Sequence, residues 1–352
     1  MAGDETTHPD HRGRVIQLAF GTMAAQTLRA AVELGIVELI GDGERTAGDV
    51  ARGCGTQPVA TLRLLRALAS LGLLAQTGPD TFAVTSAGGL LDGRRPDSVA
   101  AFVRVLTNPV MTRGWERLAD SVRTGERSFD AVFGTDFFDY LRQRPELSAE
   151  FNTAMSQGAW AVARVLPTAY DFGPFSTVVD VGGGDGTLLT AVLRAHPHLR
   201  GIVYDTAEGL AQAKDTFERA GVADRAETVI GDFFASVPSG GDLYLLKSVI
   251  HDWNDEQSTG ILRRCAEALP AHGRVLIVDE LLPERADAAG AGPLELSDLH
   301  LSDLNMLVTI GGRERTREDF TGLCHAAGLA TPVVTPLPPP FAFALVEAAL
   351  AG

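Results

Sequence analysis

A glycine-rich stretch, VVDVGGGDGT from Val178 to Thr187, constrains the fold of this chain more than any other segment. A largely apolar run, Val178 to Val181, leads into three consecutive glycines, and apolar residues resume at helical spacing after Thr187. This order predicts a strand, a tight turn and a helix. Glycines suit such a turn because they adopt positive φ and let the backbone approach a ligand closely.

The spacing of the glycines favours a nucleoside ligand over a dinucleotide. Gly182, Gly184 and Gly186 form the pattern G-x-G-x-G, and Thr187 stands where a dinucleotide-binding fingerprint has its third glycine. A nicotinamide-dependent dehydrogenase is therefore disfavoured. Asp205 ends a second apolar run 23 positions after Gly182, so its carboxylate could accept hydrogen bonds from both hydroxyls of a ribose.

Composition limits the classes of partner and compartment. The chain has 352 residues, of which 45% are hydrophobic, enough for a large core and two domains. Its formal charge of −15 argues against nucleic acid or an anionic membrane as a partner. Three widely separated cysteines share no ligand spacing with a histidine pair, so we expect neither disulfides nor a metal site. No apolar run approaches the roughly 18 residues of a membrane span, which predicts a cytoplasmic protein.

Residues 1–95 predict a helical domain. Apolar residues recur at helical intervals from Val15 to Ile40. Thr46 with Asp49 indicates the start of a capped helix, and Thr56 with Pro58 indicates the start of another. A hairpin is expected next, from Leu73 to Val84 around a Gly-Pro-Asp turn.

This succession of helix, turn, helix and hairpin is the order of a winged helix, which can bind DNA or serve as a dimerisation and substrate-lid domain. The helix that would read DNA offers only Arg63 and Arg66 as cations. A groove-reading helix usually combines several basic residues with asparagine or glutamine. Together with the acidic charge, this favours the dimerisation domain.

Residues 96–165 predict a helical connector interrupted at Pro96, Pro109 and Pro145, with a turn at Gly125. Aromatic residues at helical spacing are usually core, although a minority could line an apolar pocket. The connector contains Phe102, Trp115, Phe129, Phe133, Phe137, Phe138, Tyr140, Phe151 and Trp160.

Residues 166–352 alternate strand and helix patterns, which predicts a mostly parallel sheet covered by helices on both faces. Strands are expected at Val178–Val181, Gly201–Tyr204, Glu227–Ile230, Asp242–Lys247 and Arg274–Val278, with an antiparallel hairpin within 332–346. Ligands of such sheets bind at the carboxyl ends of the strands. The glycine turn, Asp205, the segment 231–233 and the segment 247–252 all follow strand ends, so we expect them to form one site.

Four motifs in order carry a resemblance to a known family. They are the glycine turn, GDFF at Gly231–Phe234, the block YLLKSVIHDWNDEQS from Tyr244, and GGRERT at Gly311–Thr316. The chain resembles, over nearly its whole length, the O-methyltransferase family that includes plant caffeic acid methyltransferases and bacterial polyketide and antibiotic tailoring enzymes. The resemblance implies a Rossmann-like, seven-stranded α/β domain that binds S-adenosylmethionine, preceded by a winged-helix dimerisation domain and assembled as a homodimer.

The same resemblance assigns site residues. The catalytic base falls on His251, and the two carboxylates that flank it fall on Asp279 and Glu314. The family more often has glutamate at the first of these positions, so the contact of Asp279 with the imidazole could be direct, bridged by water, or taken over by Glu280. Cofactor contacts fall on Gly182, Gly184, Asp205, Asp232, Phe233, Lys247 and Ser248. Acceptor contacts fall on Phe151, Asn152, Met155, Trp160, Asp252, Asn305 and Met306, with Asp298 and Asp303 nearby.

The chemistry that this resemblance implies is methyl transfer to a hydroxyl of an aromatic molecule in secondary metabolism. A phenol has a pKa near 10 and is a poor nucleophile at neutral pH, whereas an imidazole near 6.5 is neutral and accepts its proton. The alternative keeps the cofactor but uses it in hydroxylation, decarboxylation or cyclisation, as some relatives of this fold do. A transcriptional regulator is disfavoured by the acidic charge.

Overall fold

A computed structural model of the chain describes residues 11–286, 298–338 and 342–352, which fall into two compact units. The first unit ends at Pro109 and the second begins at Val110. The first helix of the expected 96–165 connector therefore packs within the first unit. In the described residues, no helix combines the length and the apolar character that crossing a bilayer requires.

The first unit is mostly helical and contains a small sheet. Its elements are α1 His11–Ala19, α2 Gly21–Glu33, α3 Ile36–Ile40, β1 Glu44–Thr46, α4 Ala47–Cys54, α5 Pro58–Ser70, β2 Leu74–Gln76, β3 Thr81–Val84, α6 Ser86–Gly89 and α7 Ala100–Leu106. The strands lie in the order β1-β3-β2, and β2 and β3 form the antiparallel hairpin expected from the sequence. Its core contains Ile36, Val50, Leu65, Leu68 and Phe82, all almost fully buried.

Local capping explains two helix starts in this unit. Thr46 caps α4 as predicted, because its Oγ1 accepts a hydrogen bond from the Asp49 backbone N–H. α5 begins at Pro58, one of the two residues that marked its predicted start, but Thr56 does not cap it. The cap is Gln57, whose Oε1 accepts from the Ala60 N–H, while the hydroxyl of Thr56 bonds that of Thr61.

The second unit places helices before and around a large sheet. Its elements are α8 Pro109–Trp115, α9 Leu118–Thr124, α10 Ser128–Phe133, α11 Phe137–Arg142, α12 Pro145–Ala169, β4 Thr177–Val181, α13 Thr187–Ala195, β5 Arg200–Asp205, α14 Ala213–Ala220, β6 Ala226–Ile230, β7 Leu243–Lys247, α15 Asp255–Ala268, β8 Arg274–Glu280, α16 Asp298–Thr309, α17 Arg317–Ala326, β9 Val333–Pro336 and β10 Phe343–Ala348. Each predicted strand is present within one or two residues of its expected ends. α12 continues four residues past the expected end of the connector at residue 165.

The strands of this unit form one seven-stranded sheet in the order β6-β5-β4-β7-β8-β10-β9. The five strands β4 to β8 are parallel, and β10 is antiparallel to both β8 and β9. Because β5 and β7 flank β4 on opposite sides, the strand order reverses at β4. The carboxyl end of β4 is therefore the point at which a ligand crevice is expected.

Candidate functional site

The glycine turn sits at the carboxyl end of β4, as the sequence predicts. Gly182, Gly184 and Gly186 all have positive φ, at 72°, 55° and 73°. An added Cβ at Gly182 would lie 2.7 Å from Val249 Cγ2, so the turn packs tightly against the chain that follows β7. A Cβ at Gly184 would meet no atom within 4 Å. The turn is therefore packed on one side and open on the other.

Asp205 lies beside this turn at the end of β5. Its Oδ2 accepts a hydrogen bond from the Gly184 N–H at 2.9 Å, and its Oδ1 accepts one from the Thr206 N–H at 2.6 Å. Burial raises the pKa of this carboxyl, although these donors oppose the rise. Each oxygen retains a lone pair that can accept a further hydrogen bond, so the carboxylate suits a ribose.

Two further segments border the same edge of the sheet. Asp232 follows β6, and its Oδ1 accepts from the Phe234 N–H at 2.9 Å. The Phe233 ring packs edge-on against Trp253, with centroids 5.9 Å apart. Asn152 of α12 donates through Nδ2 to the carbonyl of Glu208, 2.9 Å away in the segment after β5. This hydrogen bond brings α12 to the strand tips.

The residues that follow β7 hold an unusual backbone conformation. Ser248 has a φ of 52°, and among the described residues it is the one non-glycine with positive φ. Its N–H donates to the Val278 carbonyl at 3.1 Å, which ties the segment to β8. Lys247 Nζ lies 5.1 Å from the centroid of the Phe343 ring. Burial lowers the pKa of this lysine, while Asp279 and other nearby carboxylates oppose that change.

His251 occupies a short 3₁₀ turn, Ile250–Asp252, just after this segment. Its Nδ1 lies 2.9 Å from Glu314 Oε1, and its Nε2 lies 3.4 Å from Asp252 Oδ1. The first distance is that of a good hydrogen bond, and the second is longer than one. Since the side chains of His251 and Glu314 are 18% and 1% exposed, the pair is largely shielded from water.

The surrounding carboxylates change the basicity of this histidine from the value near 6.5 that the sequence alone suggested. Burial by itself lowers its pKa, but Asp252, Glu314 and Asp279 outweigh burial and raise the pKa to about 10. For Glu314, burial acts to raise the pKa, and the bond with His251 outweighs it and leaves the pKa lowered. Burial raises the pKa of Asp252 to about 6. At neutral pH the resting site therefore holds an imidazolium beside an ionised Glu314.

Glu314 is itself held in place by α16. Ser302 Oγ donates to Glu314 Oε1 at 2.8 Å, the same oxygen that faces His251. The backbone N–H of Glu314 donates to Asp303 Oδ1 at 2.9 Å. The sequence placed Asp303 near the acceptor, and its described contact is with this backbone. Ser302 was not identified from the sequence, because a lone serine in a helix carries no distinguishing signal.

Arg315 anchors the turn that carries His251. Although charged, it is 1% exposed. Its Nη1 donates to the Ile250 carbonyl and its Nη2 to the Trp253 carbonyl, both at 2.7 Å, and Nη2 also lies 2.9 Å from Asp255 Oδ1. Sequence reasoning noted the GGRERT motif but not this arginine. One guanidinium thus spans the two ends of the 3₁₀ turn.

Gly312 fits closely beneath the same turn. A Cβ at this position would lie 2.0 Å from the His251 carbonyl oxygen and 2.4 Å from the Asp252 carbonyl carbon. The next residue, Arg313, donates its N–H to the His251 carbonyl at 2.9 Å. The loop after α16 and the turn after β7 are therefore packed backbone to backbone.

Asp279 lies at the end of β8. The sequence left open whether it hydrogen-bonds His251 directly, and in the structure it does not. It is 1% exposed, and neither carboxyl oxygen has a hydrogen-bond partner among the described residues. Burial raises its pKa to about 7. Asp180 on β4 is similar, since its Oδ2 is buried without a described partner and burial raises its pKa to about 7.

The residues expected to contact the acceptor are only partly brought together. Phe151 packs edge-on against Phe137, while Met155 is 40% exposed. Trp160 follows Phe151 by nine residues on α12, which at about 100° per residue places the two on opposite faces of the helix. The described contact of the Trp160 ring is with the Arg164 guanidinium, 4.7 Å away.

Two predicted acceptor residues on α16 are engaged within the second unit, one by a hydrogen bond and the other by burial. Asn305 Oδ1 accepts from Trp115 Nε1 at 3.0 Å, and Met306 is 7% exposed. The side chain of Asp298 lies outside the described residues. Among the residues described, no cluster of histidine, cysteine and acidic side chains is arranged to hold a metal ion.

Two family profiles match most of the chain. The O-methyltransferase domain matches residues 115–330, and the O-methyltransferase dimerisation domain matches residues 16–91. In the described part of the chain, each profile falls within one of the two compact units.

Individual relatives agree with these profiles. The chain is 46% identical to O-demethylpuromycin-O-methyltransferase of Streptomyces alboniger over 96% of this chain and 88% of the relative. The crystal structure of LaPhzM is similar with a TM-score of 0.89 and 38% identity, covering 97% of this chain and 99% of that one. The O-methyltransferase NcsB1, solved with S-adenosylmethionine and 2-hydroxy-5-methyl naphthoic acid, has a TM-score of 0.79 and 32% identity, covering 98% of this chain and all of that one.

Proposed function

This chain belongs to the S-adenosylmethionine-dependent O-methyltransferase family, and we propose that it methylates a hydroxyl of an aromatic small molecule with His251 as general base. Family membership establishes the reaction class and the cofactor. One observation carries the proposal about the base. Val249 packs against Gly182 of the glycine turn, and two residues later His251 is bonded to a buried carboxylate. The base and the nucleoside crevice are therefore adjacent.

The residues at the strand tips fit the cofactor. We propose that Gly182 and Gly184 admit it at the open side of the turn, and that Asp205 accepts hydrogen bonds from its ribose. Asp232 is placed to accept from an amino group of the adenine, and Phe233 to pack on its face. Lys247 and Ser248 border the same crevice. When bound, S-adenosylmethionine supplies an electrophilic methyl group, and the protein supplies position.

The geometry around His251 defines its role in the proposed mechanism. Nδ1–H donates to Glu314, so the proton that the imidazolium loses is the one on Nε2, and Nε2 of the resulting neutral ring accepts the proton of the acceptor hydroxyl. A phenol has a pKa of about 10, and the pKa of His251 is raised to about 10. Proton transfer from a phenol to a neutral imidazole of matched pKa is nearly even in free energy, but forming that neutral imidazole at pH 7 costs about 4 kcal/mol, so turnover should rise with pH. Asp252 and Glu314 then stabilise the imidazolium.

We propose an aromatic acceptor in secondary metabolism on two grounds. Named relatives act on such molecules, O-demethylpuromycin among them, and a naphthoic acid is bound in one solved neighbour. In this chain, Phe138 of α11 stacks on Trp253, two residues after His251, and the adjacent Phe137 packs edge-on against Phe151 of α12. We propose that the acceptor contacts Phe151, Asn152, Met155, Trp160, Asp252, Asn305 and Met306, and the position of Trp160 on the far face of α12 makes it the weakest member of this set.

The function is tested by incubating the protein with S-adenosylmethionine and naphthols and measuring S-adenosylhomocysteine together with the methyl ether. We expect both products in equal amounts. Consumption of an acceptor without S-adenosylhomocysteine would instead support the alternative, in which the cofactor assists hydroxylation, decarboxylation or cyclisation.

Replacing Asp205 with alanine is expected to weaken binding of S-adenosylmethionine by about 10- to 100-fold, because a charge-assisted hydrogen bond contributes about 1.5–3 kcal/mol. Calorimetric titration of the cofactor measures this change. Asp224→Ala, at an exposed acid on the same unit, is the matched control. A dissociation constant that Asp205→Ala leaves unaltered would show that the ribose assignment is mistaken.

We propose that the chain forms a homodimer through residues 16–91, which match the dimerisation domain. Apolar side chains of this region are exposed in the single chain, including Ile16, Leu18, Phe20 and Met23. Light scattering should give twice the chain mass, and a monomer mass would refute the proposal. The cytoplasmic location and the lack of nucleic-acid or membrane partners stay predictions.

A further inference from the structure

We propose that Ser302 on α16 is a positioning residue for the base, because its hydroxyl shares one oxygen of Glu314 with His251 and thereby makes the imidazolium proton easier to lose. The inference rests on the proposed function, since it treats His251 as the group that accepts a proton during the reaction. Ser302 acts here only through Glu314.

Two donors meet at a single oxygen of Glu314. Ser302 Oγ lies 2.8 Å from Oε1, and His251 Nδ1 lies 2.9 Å from the same atom. Both distances are those of good hydrogen bonds. The other oxygen, Oε2, is buried and has no partner among the described residues. The serine and the imidazole therefore use the lone pairs of one atom, although the carboxylate has a second acceptor oxygen.

Sharing one oxygen couples the two hydrogen bonds. Each donor attracts electron density from Oε1, so each weakens the bond that the other forms. An imidazolium donates more strongly than a neutral imidazole, because ionisation of the donor strengthens a hydrogen bond. When His251 becomes neutral, its bond to Oε1 weakens and the bond from Ser302 strengthens. The hydroxyl therefore stabilises the site more with a neutral imidazole than with an imidazolium.

The fold holds Glu314 in place independently of this hydroxyl. The residue after Ser302, Asp303, accepts the backbone N–H of Glu314 through Oδ1 at 2.9 Å. On the other side of Glu314, the guanidinium of Arg315 donates to two backbone carbonyls of the segment that carries His251. Removing the Ser302 hydroxyl should therefore change the electron density on Oε1 and leave the carboxylate in position.

Other charged groups act on the pair or on its neighbours. They come from the 3₁₀ turn, from the ends of β7 and β8 and from the loop after α16, and they are Asp252, Lys247, Asp279 and Arg315. For Glu314, burial acts to raise the pKa, and the bonds from His251 and Ser302 together with the charge of Arg315 outweigh it. Since Ser302 is uncharged, replacing it by another neutral residue leaves all of these charges in place.

The experiment follows the titration of His251 in two ways. Nuclear magnetic resonance of the histidine-labelled protein, saturated with S-adenosylhomocysteine, gives the midpoint, and the signal that His251→Ala lacks identifies the residue. The pH dependence of kcat/KM with S-adenosylmethionine and a naphthol gives the rising limb. For Ser302→Val, we expect midpoint and limb to move upward by about 0.3–1 pH unit, which lowers kcat/KM near neutral pH by about 2- to 10-fold.

Ser302→Thr is the matched variant, since threonine and valine have nearly the same shape and only threonine keeps a hydroxyl. It should leave the midpoint and the limb near their native values. Ser302→Ala removes the hydroxyl without adding volume and should shift the midpoint in the same direction as Ser302→Val. In a protein that already carries Glu314→Gln, Ser302→Val should shift the midpoint far less, because the carboxylate that couples the two residues is absent.

Thr321→Val is the control at an exposed hydroxyl of α17, which bonds the Arg317 carbonyl of its own helix at 2.9 Å, and it should leave the midpoint unaltered. A midpoint that Ser302→Val and Ser302→Ala leave in place or lower overturns the inference, and so does an equal shift in Ser302→Thr. A loss of kcat/KM that is the same at every pH would show that Ser302 is merely structural. If the midpoint shifts as expected but the native protein forms no S-adenosylhomocysteine, the coupling stands and the proposed reaction fails.

Discussion

His251→Ala is expected to lower kcat by about 10²- to 10⁴-fold while leaving the affinity for S-adenosylmethionine unchanged. The reason is that general base catalysis supplies an acceleration of this size, and the residues proposed to hold the ribose and the adenine, Asp205, Asp232 and Phe233, lie on other segments. Turnover is measured as S-adenosylhomocysteine formed at saturating acceptor, and cofactor affinity by calorimetry. Turnover equal to that of the native protein would remove His251 from the mechanism.

The matched control is His325→Ala. This histidine lies in the same unit, is exposed, and bonds the Thr331 hydroxyl through Nε2 at 2.9 Å. Its replacement should leave kcat unaltered. A similar loss in both variants would indicate damage to the fold and not to the base.

The pH dependence provides an independent signature of the same site. Since the pKa of His251 is raised to about 10, the fraction of neutral imidazole grows as pH rises toward that value. We therefore expect kcat/KM to increase about tenfold per pH unit above neutrality and to level off near pH 10. Glu314→Gln removes a carboxylate that raises this pKa, so the rising limb should move to lower pH. An unmoved limb would contradict the pairing of Glu314 with His251.

Arg315→Met is expected to cause the largest loss of stability among changes near the site. It removes the guanidinium donors of the Ile250 and Trp253 carbonyls and leaves them to share the single hydroxyl hydrogen of Ser258, so at least one buried carbonyl loses its partner, at about 1–3 kcal/mol. The temperature midpoint of unfolding should fall by several degrees. Turnover should fall as well, because the 3₁₀ turn that carries His251 is released at both ends.

Calorimetry of the variant and of Arg263→Met provides the comparison. Arg263 donates to the Ala326 carbonyl at 3.1 Å from an exposed position, so its loss should change the midpoint little. Equal midpoints for the two variants would show that Arg315 does not anchor the turn. The midpoint of Arg315→Lys should fall between those of the two variants. The reason is that an ammonium lacks the planar, forked set of donors with which the guanidinium contacts both carbonyls and Asp255 at once.

Much of the fold was predictable because the sequence patterns are local. The apolar runs that follow one another between Val178 and Val278 have the lengths of buried parallel strands, and the glycines mark where β4 ends. The cap at Thr46 depends on residues three positions apart. The cap of α5 was missed because Thr56 and Gln57 are both possible caps, and the Thr56 hydroxyl bonds that of Thr61, five residues along the chain, instead of a helix N–H.

The sequence proposed members for the site but not the hydrogen bonds that connect them. Motif resemblance identified His251 and Glu314, yet it left the contact of Asp279 open. Arg313 and Arg315 are arginines of one motif, and the sequence does not distinguish their environments. In the structure the side chain of Arg313 is 44% exposed and that of Arg315 is 0% exposed. Such differences arise from contacts between segments about sixty positions apart in the chain. No local pattern in the sequence predicts these differences in burial.

The close fit at Gly312 has a consequence for altering acceptor range by directed evolution. With a Cβ at this position 2.0 Å from the His251 carbonyl oxygen, almost any substitution there would displace the turn that carries His251. Libraries aimed at new acceptors should therefore leave residues 311–315 untouched and diversify the exposed face of α12 around Met155. The tight packing of residues 311–315 against the turn that holds the imidazole limits which parts of this enzyme can be redesigned.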